Sequence, residues 1–179
     1  MNLSVDSLAK QADRVLQGSS VLAAIKAAGI EYVLSVPDIT TSRGLLFPIA
    51  RDPAFRLVRV CKEDECLGIA AGLSYGNKRA LILIQHTGML YAMNAIRAVG
   101  VELKQPICMM VGLLSKEPDK PPRESKRYGV RIVEPLLDVM GIPHHLIETD
   151  ADIGKIGPAV ADCYENSHPV AMLIGRRPS

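Results

Sequence analysis

Residues 80–85, with the sequence ALILIQ, are apolar on both faces of any strand they form. A strand with one solvated face alternates apolar and polar residues, so this run predicts a strand covered on both sides, as in a parallel sheet. Five further runs also predict strands, and segments with helical spacing separate them. The six predicted strands are Tyr32–Val36, Arg56–Val60, Ala80–Gln85, Ile107–Val111, His144–Ile147 and Val170–Ile174. This alternation predicts a three-layer α/β fold with a six-stranded parallel sheet.

The segments between these strands predict the helices that cover the sheet. Glycine and serine at 18–20 separate the first two helices, and Ser20 can cap the second, which Gly29 ends. The predicted helices are 4–17, 21–28, 43–50, 64–75, 89–99, 131–140 and 153–166. We therefore expect a single domain over 1–179, with a helical extension at 1–19 and the sheet within 20–176. The polar, proline-rich stretch Ser115–Lys126 is long enough for a lid or a partner-dependent loop.

Composition and charge exclude several classes of function. The chain of 179 residues is 48% hydrophobic and 22% charged, which is typical of one globular domain. Its net charge of +2 is too small to predict binding to nucleic acid or to a membrane surface. The longest apolar run, Pro106–Leu114, is too short to span a bilayer, and the N-terminus lacks a signal-peptide pattern. Four cysteines without metal-binding spacing predict reduced thiols in a cytoplasmic protein, with a disulfide or redox pair as the alternative.

Polar or turn residues follow four of the predicted strands at their carboxyl ends. They are Pro37-Asp38, Lys62-Glu63, Gln85-His86-Thr87-Gly88 and Gly112. Open parallel sheets bind ligands beyond the carboxyl ends of their strands, so we expect a site at this edge. The chain has no glycine-rich phosphate loop, because Gly68, Gly72 and Gly76 form a smooth stripe within a helix. The phosphates of a nucleotide-like cofactor would therefore have to be held by another chain.

These residues resemble the pyrimidine-binding domain of thiamine diphosphate-dependent decarboxylases, in particular those acting on sulfopyruvate and phosphonopyruvate. That family has an acidic residue nine positions before a glycine in an alanine-rich helix. Here this spacing selects Glu63, nine positions before Gly72, over Glu65. The family also has a Gln-Asn-Ser-Gly-like turn after a strand, with an asparagine six residues later, and here Gln85–Gly88 and Asn94 have that spacing.

The resemblance extends over about 20–176 and includes the strand end Val36-Pro37-Asp38. Two departures occur where the substrate would lie: His86 replaces a common asparagine, and Met89-Leu90-Tyr91 replaces a Leu-Gly-Asn-like segment.

The resemblance implies that thiamine diphosphate is bound and shared with a partner chain. Glu63 would hydrogen-bond N1′ of the aminopyrimidine ring, and Gln85, Thr87 and Gly88 would also contact the cofactor. Asp38, His86 and Asn94 would face the substrate, and His86 would also transfer protons. In relatives, a Gly-Asp-Gly motif with a later asparagine holds the diphosphate and Mg²⁺, and this chain has no such motif.

The function implied by the resemblance is that of an alpha subunit active only in a hetero-oligomer. A separate beta subunit would hold the diphosphate and Mg²⁺, and the substrate would be a small anionic 2-oxo acid, sulfopyruvate or phosphonopyruvate. One alternative is a subunit of another thiamine diphosphate-dependent 2-oxo acid decarboxylase or carboligase. A second alternative is a non-catalytic assembly domain that kept the sheet.

Several candidate residues also have purely structural interpretations. Glu63 is then an acid that stabilises the start of a helix, Asp38 a helix cap, and Asn94 a brace for the preceding turn. The basic residues of the 115–126 loop, among them Arg123, form either a solvated face or a clamp for an anionic substrate group. Arg176 and Arg177 are expected to be solvated or to lie at an interface.

Overall fold

The computed structural model describes residues 15–118 and 120–179. The predicted helix 4–17 lies outside the described residues except for its last three positions. Those three, Val15–Gln17, are not helical and directly precede the first described helix. No helix in the two described stretches is both long enough and apolar enough to cross a membrane.

The sheet has six parallel strands, as predicted. They are β1 Tyr32–Ser35, β2 Arg56–Arg59, β3 Ala80–Gln85, β4 Cys108–Gly112, β5 His144–Ile147 and β6 Val170–Ile174. Their order across the sheet is β2-β1-β3-β4-β6-β5, and all neighbours are parallel. β4 and β6 are buried along their whole length, and β3 is buried up to Gln85. This burial explains why the sequences of these three strands are nearly continuous apolar runs.

Helices cover both faces of this sheet. They are α1 Gly18–Ala27, α2 Phe47–Ile49, α3 Glu63–Tyr75, α4 His86–Tyr91, α5 Met93–Ala95, α6 Tyr128–Arg131, α7 Val133–Val139 and α8 Ile156–Glu165. A π-helical turn, Ser42–Leu46, precedes α2, and a second, Ile96–Glu102, follows α5. Residues from α1, α2 and α8 form one core layer, and residues from α3 to α7 form the other. The three-layer α/β architecture predicted from the sequence is confirmed.

The prediction of a polar turn over Gln85–Gly88 is wrong. Gln85 is the last residue of β3, and α4 begins at the next residue, His86. The backbone of Gln85 is extended, so it serves as the residue that precedes the first helical turn. The residues expected in a turn therefore form the amino-terminal turn of a helix at the carboxyl edge of the sheet.

Candidate functional site

Glu63 is the first residue of α3, and its side chain lies against the first turn of α4. A Cβ atom added to Gly88 would overlap Glu63 Oε1 and would lie 2.5 Å from both Cγ and Cδ of the same side chain. Gly88 does not have a left-handed backbone, so its φ angle is open to any residue. Glycine is required here because the carboxylate passes directly over its Cα atom. The sequence-predicted residues Glu63 and Gly88 are thus in direct contact.

Glu63 and Glu65, two of the three acids in the first turn of α3, have different environments. Glu65 Oε2 accepts hydrogen bonds from the backbone N–H groups of Cys61, at 3.0 Å, and Lys62, at 3.3 Å. This interaction caps the helix. Glu63 is half-buried, and its carboxylate forms no hydrogen bond or ion pair with residues 15–118 or 120–179. A carboxylate that the fold leaves without a partner is available to a ligand.

The electrostatic field of these acids extends to the buried thiol of Cys66. Burial, together with the smaller effects of the charges of Glu63 and Glu65, raises the pKa of Cys66 to about 12. Cys66 is therefore a neutral thiol that contributes to packing rather than a nucleophile. Glu63 is therefore a chemically available group at this helix end, beside Asp64, whose Oδ1 atom is buried and has no hydrogen-bond partner among the described residues.

Gln85 and Thr87 contact each other at the junction of β3 and α4. Gln85 Nε2 donates a hydrogen bond of 2.7 Å to Thr87 Oγ1, and Thr87 is exposed. In the sheet register Gln85 pairs with Gly112 of β4. The predicted contacts of Gln85, Thr87 and Gly88 with a cofactor stay predictions, and all three residues lie at the strand end where they were expected.

Asp38 is buried, and its own turn uses both of its carboxylate oxygens. Oδ1 accepts the backbone N–H groups of Thr40, at 2.5 Å, and Thr41, at 2.9 Å, while the Thr41 hydroxyl donates to Oδ2. This geometry favours the capping interpretation of Asp38. The Thr40 hydroxyl beside it is buried and has no hydrogen-bond partner among the described parts of the chain. The predicted contact of Asp38 with substrate stays a prediction.

His86 is 5% exposed and connects α4 to the segment that follows β4. When the ring proton is on Nε2, the Nδ1 atom accepts a hydrogen bond from the backbone N–H of Leu114 at 3.2 Å. The carbonyl oxygen of Gly112 lies 3.3 Å from the same nitrogen. Burial lowers the pKa of His86, against smaller opposing effects of Gly112 and Asp38. The ring is therefore neutral at physiological pH and holds backbone in place. Its predicted contact with substrate stays a prediction.

Two further residues complete the description of the predicted site. Asn94 is exposed, and its Oδ1 accepts bonds from Arg97 Nε at 3.2 Å and Nη2 at 3.0 Å, so it binds the next helical turn and not Gln85–Gly88. Gly129 was not predicted, yet a Cβ there would lie 3.1 Å from His86 Nε2. No local pattern marks Gly129, because its neighbour comes from a distant strand end.

The loop Ser115–Lys126 is held closed by its own side chains. Glu117 Oε2 accepts the Ser125 hydroxyl at 2.7 Å, and Oε1 accepts the Lys126 backbone N–H at 3.1 Å. The Ser125 hydrogen bond is the main cause that lowers the pKa of Glu117 to about 2. The carboxylate therefore stays charged and joins the two ends of the loop at physiological pH.

Ion pairs also fix the basic residues of this loop. Lys116 Nζ is fully buried and donates to Glu148 Oε1 at 2.5 Å and to the Glu117 carbonyl at 2.8 Å. Arg123 pairs with Glu134 at 3.2 Å and with Asp138 at 2.5 Å. Arg123 is thus engaged within the chain, which favours the structural interpretation over a substrate clamp.

One cavity, of about 540 Å³, lies away from the predicted site. Arg79 and Pro106, which directly precede β3 and β4, are among its lining residues, so it lies at the amino ends of the strands. Glu63 and Gly88 lie at the carboxyl ends.

The fold agrees with the class of protein that the sequence resembles, the pyrimidine-binding half of a decarboxylase. No family model matches the chain. It is 29% identical over 161 residues to sulfopyruvate decarboxylase subunit alpha of Methanocaldococcus jannaschii, covering 89% of this chain and 94% of that protein. It is 28% identical over 162 residues to the protein of the same name from Methanothermobacter thermautotrophicus, covering 90% of this chain and 96% of that protein.

A longer relative carries the same name without a subunit designation. The chain is 22% identical over 161 residues to sulfopyruvate decarboxylase of Methanosarcina acetivorans, covering 86% of this chain and 38% of that protein. Together these similarities confirm the resemblance to the alpha subunit of sulfopyruvate decarboxylase that the sequence motifs predicted.

Proposed function

We propose that this chain is the alpha subunit of a thiamine diphosphate-dependent decarboxylase of sulfopyruvate, active only with a beta subunit. The observation that carries the proposal is the half-buried Glu63 carboxylate, which lies over Gly88 at the carboxyl edge and is left without a partner by the described residues. The names and nearly full-length coverage of the two alpha-subunit relatives support the substrate and the subunit assignment.

Thiamine diphosphate fits the residues present at this edge. The unpartnered carboxyl of Glu63 is suited to exchange a proton with a ring nitrogen, and Gly88 leaves the space that this carboxylate occupies. Glu63 would hold N1′ of the aminopyrimidine, with Gln85 and Thr87 at the same strand end. When bound, the cofactor stabilises the carbanion left by loss of carbon dioxide. The chain's own role is to hold the ring and to share a proton at Glu63.

The proposal assigns the diphosphate and Mg²⁺ to the beta subunit. The chain has no Gly-Asp-Gly motif, and the matched relative from Methanosarcina acetivorans is long enough to contain a second domain. The exposed face of α3 also supports a partner. A Cβ at Gly68 or Gly72 would meet nothing within 4 Å, and Tyr75 is 79% exposed. A helix of the partner can approach this smooth face closely, on the same helix that begins with Glu63.

The test is the Glu63→Gln variant, assayed for decarboxylation of sulfopyruvate together with the beta subunit. We expect turnover to fall by roughly 10²–10⁴-fold, because the amide cannot exchange the proton. The thermal midpoint is expected to remain unchanged, since the carboxylate has no protein partner to lose. Glu65→Gln is the matched control, because an amide oxygen can still cap α3 and activity should be kept. Near-normal turnover of Glu63→Gln would refute the proposal.

Two further measurements separate the parts of the proposal. Isothermal titration with thiamine diphosphate and Mg²⁺ should show tight binding only when both subunits are present, and tight binding to this chain alone would contradict the division of the site. Parallel assays with sulfopyruvate, phosphonopyruvate and simple 2-oxo acids decide the substrate. Preference for a simple 2-oxo acid would replace sulfopyruvate by another substrate of the same cofactor.

A further inference from the structure

We propose that Arg43 and Arg177 form a binding site for a tetrahedral oxyanion, a phosphate or sulfonate group. Arg43 lies in the π-helical turn that follows β1, and Arg177 follows the end of β6, so both lie beyond the carboxyl ends of strands. The two side chains line one cavity of about 390 Å³ together with Pro178 and Ser179. Ligands of open parallel sheets bind at this edge.

Close backbone packing brings together the two segments that carry Arg43 and Arg177. A Cβ on Gly44 would overlap the carbonyl oxygen of Pro178 and lie 2.7 Å from its carbonyl carbon, and a Cβ on Gly18 would overlap the carbonyl oxygen of Gly44. The Gly18 N–H also donates to the Ser179 oxygen at 2.9 Å. Gly44 and Pro178 are the direct neighbours of Arg43 and Arg177 in the chain. The backbone packing therefore fixes the positions of the two Cα atoms from which the arginine side chains extend.

The charges of these two arginines are not neutralised by the described part of the chain. Neither guanidinium forms a hydrogen bond or an ion pair with residues 15–118 or 120–179, whereas Arg123 pairs with two acids. Both side chains are exposed, so their donors are accessible from solvent.

An oxyanion bound in this cavity would use the hydrogen-bond donors of both guanidinium groups. Each guanidinium offers a planar pair of N–H donors that matches two oxygens of a phosphate or sulfonate. A carboxylate has only two oxygens, so a tetrahedral group with three or more acceptors suits two guanidinium groups better. The geometry therefore points to phosphate or sulfonate chemistry.

The oxyanion can come from two sources with the same chemistry. One is the sulfonate group of the substrate proposed above, and the other is a free phosphate compound. The inference does not depend on Glu63 or on the proposed reaction, so it can hold where the proposed function fails. Competition between the two ligands distinguishes the sources.

The experiment is a calorimetric titration of the full chain with inorganic phosphate, with sodium chloride at equal ionic strength as the blank. We expect saturable binding to the wild type and a loss of at least about tenfold in affinity for the Arg43→Gln/Arg177→Gln variant, as expected for loss of charge-assisted hydrogen bonds. The exposed Arg51, which is not among the residues that line this cavity, provides the matched control Arg51→Gln, whose affinity should be unchanged.

A second variant shows whether a loss of binding is caused by misfolding. Arg43→Lys/Arg177→Lys keeps both charges but loses the planar fork, so its affinity should lie between those of the wild type and the glutamine variant. Displacement of phosphate by sulfopyruvate assigns the site to the substrate, and its absence assigns the site to free phosphate. Absence of saturable phosphate binding, or equal binding by the wild type and the glutamine variant, overturns the site.

Discussion

The contact between Glu63 and Gly88 makes a sharp prediction for the Gly88→Ala variant. Gly88 is the third residue of α4 and has an ordinary backbone conformation, so the backbone accepts alanine. Alanine is more favourable than glycine within a helix by about 1 kcal/mol. Any loss of stability in this variant must therefore come from overlap of the new methyl group with the Glu63 side chain.

The overlap sets the size of the expected effect. The new Cβ would lie 2.5 Å from Glu63 Cγ and Cδ, against a favourable carbon–carbon separation of about 3.5–4.0 Å. Overpacking of this kind costs about 1–3 kcal/mol. After the helix gain, Gly88→Ala should lower the free energy of unfolding by about 0–2 kcal/mol. In a Glu63→Ala background the same substitution should raise it by up to about 1 kcal/mol, because Cγ, Cδ and the oxygens are gone.

A double-mutant cycle isolates this overlap from the helix effect. Urea unfolding followed by circular dichroism, on the wild type, the two single variants and the double variant, should show a coupling energy of about 1–3 kcal/mol between the two positions. Gly68→Ala serves as the control, since open space surrounds its Cα and the helix gain should appear in both backgrounds. Coupling below about 0.5 kcal/mol would mean that Glu63 does not lie over Gly88 in solution.

Two further predictions test His86 at the carboxyl edge of the sheet and Tyr164 at its amino edge. Burial lowers the pKa of His86 below its ordinary value of 6.5, so the unfolded chain binds the proton first as pH falls. The free energy of unfolding should therefore decrease from about pH 7 to about pH 5. His86→Gln should reduce this pH dependence in urea titrations, and an unchanged pH dependence would mean that the ring is not held neutral. Tyr164 OH accepts the Ala80 N–H at 2.6 Å and donates to the Ala80 carbonyl at 2.7 Å. Tyr164→Phe should therefore cost about 1–3 kcal/mol in the same assay, and wild-type stability would contradict this bridge.

Much of the fold was predictable because each buried strand of a parallel sheet has an apolar run that can be identified in the sequence without knowing its neighbours. β3, β5 and β6 have the predicted bounds, and β1 differs by one residue at its end. Strand order was not predictable, because the insertion of β6 between β4 and β5 depends on contacts between distant segments. The π-helical turn Ile96–Glu102 was also missed, since apolar spacing alone does not distinguish it from an α-helix.

The candidate site was predictable where residues follow strand ends and hidden where partners are distant in sequence. Glu63 and Gly88 were found because each follows a predicted strand closely. The environment of His86 was not found, because Leu114 and Gly129 approach it from segments after β4. The sequence did not associate Arg43 with Arg177, because the two residues share a cavity only through the packing of Gly44 against Pro178.

The contrast between Glu63 and Glu65 argues that stability does not explain the first of these acids. Glu65 supplies the capping hydrogen bonds at the start of α3, whereas Glu63 supplies none to the described residues. Its carboxylate is half-buried, lies near the charge of Glu65, and requires a glycine at position 88 where alanine would favour α4. Alanine at 88 would serve folding better, and the helix-dipole stabilisation that an acid at 63 provides is only about 0.3–1 kcal/mol. Local choices that work against stability are concentrated at functional sites, so the arrangement is best explained by a ligand that needs a carboxyl group in that position.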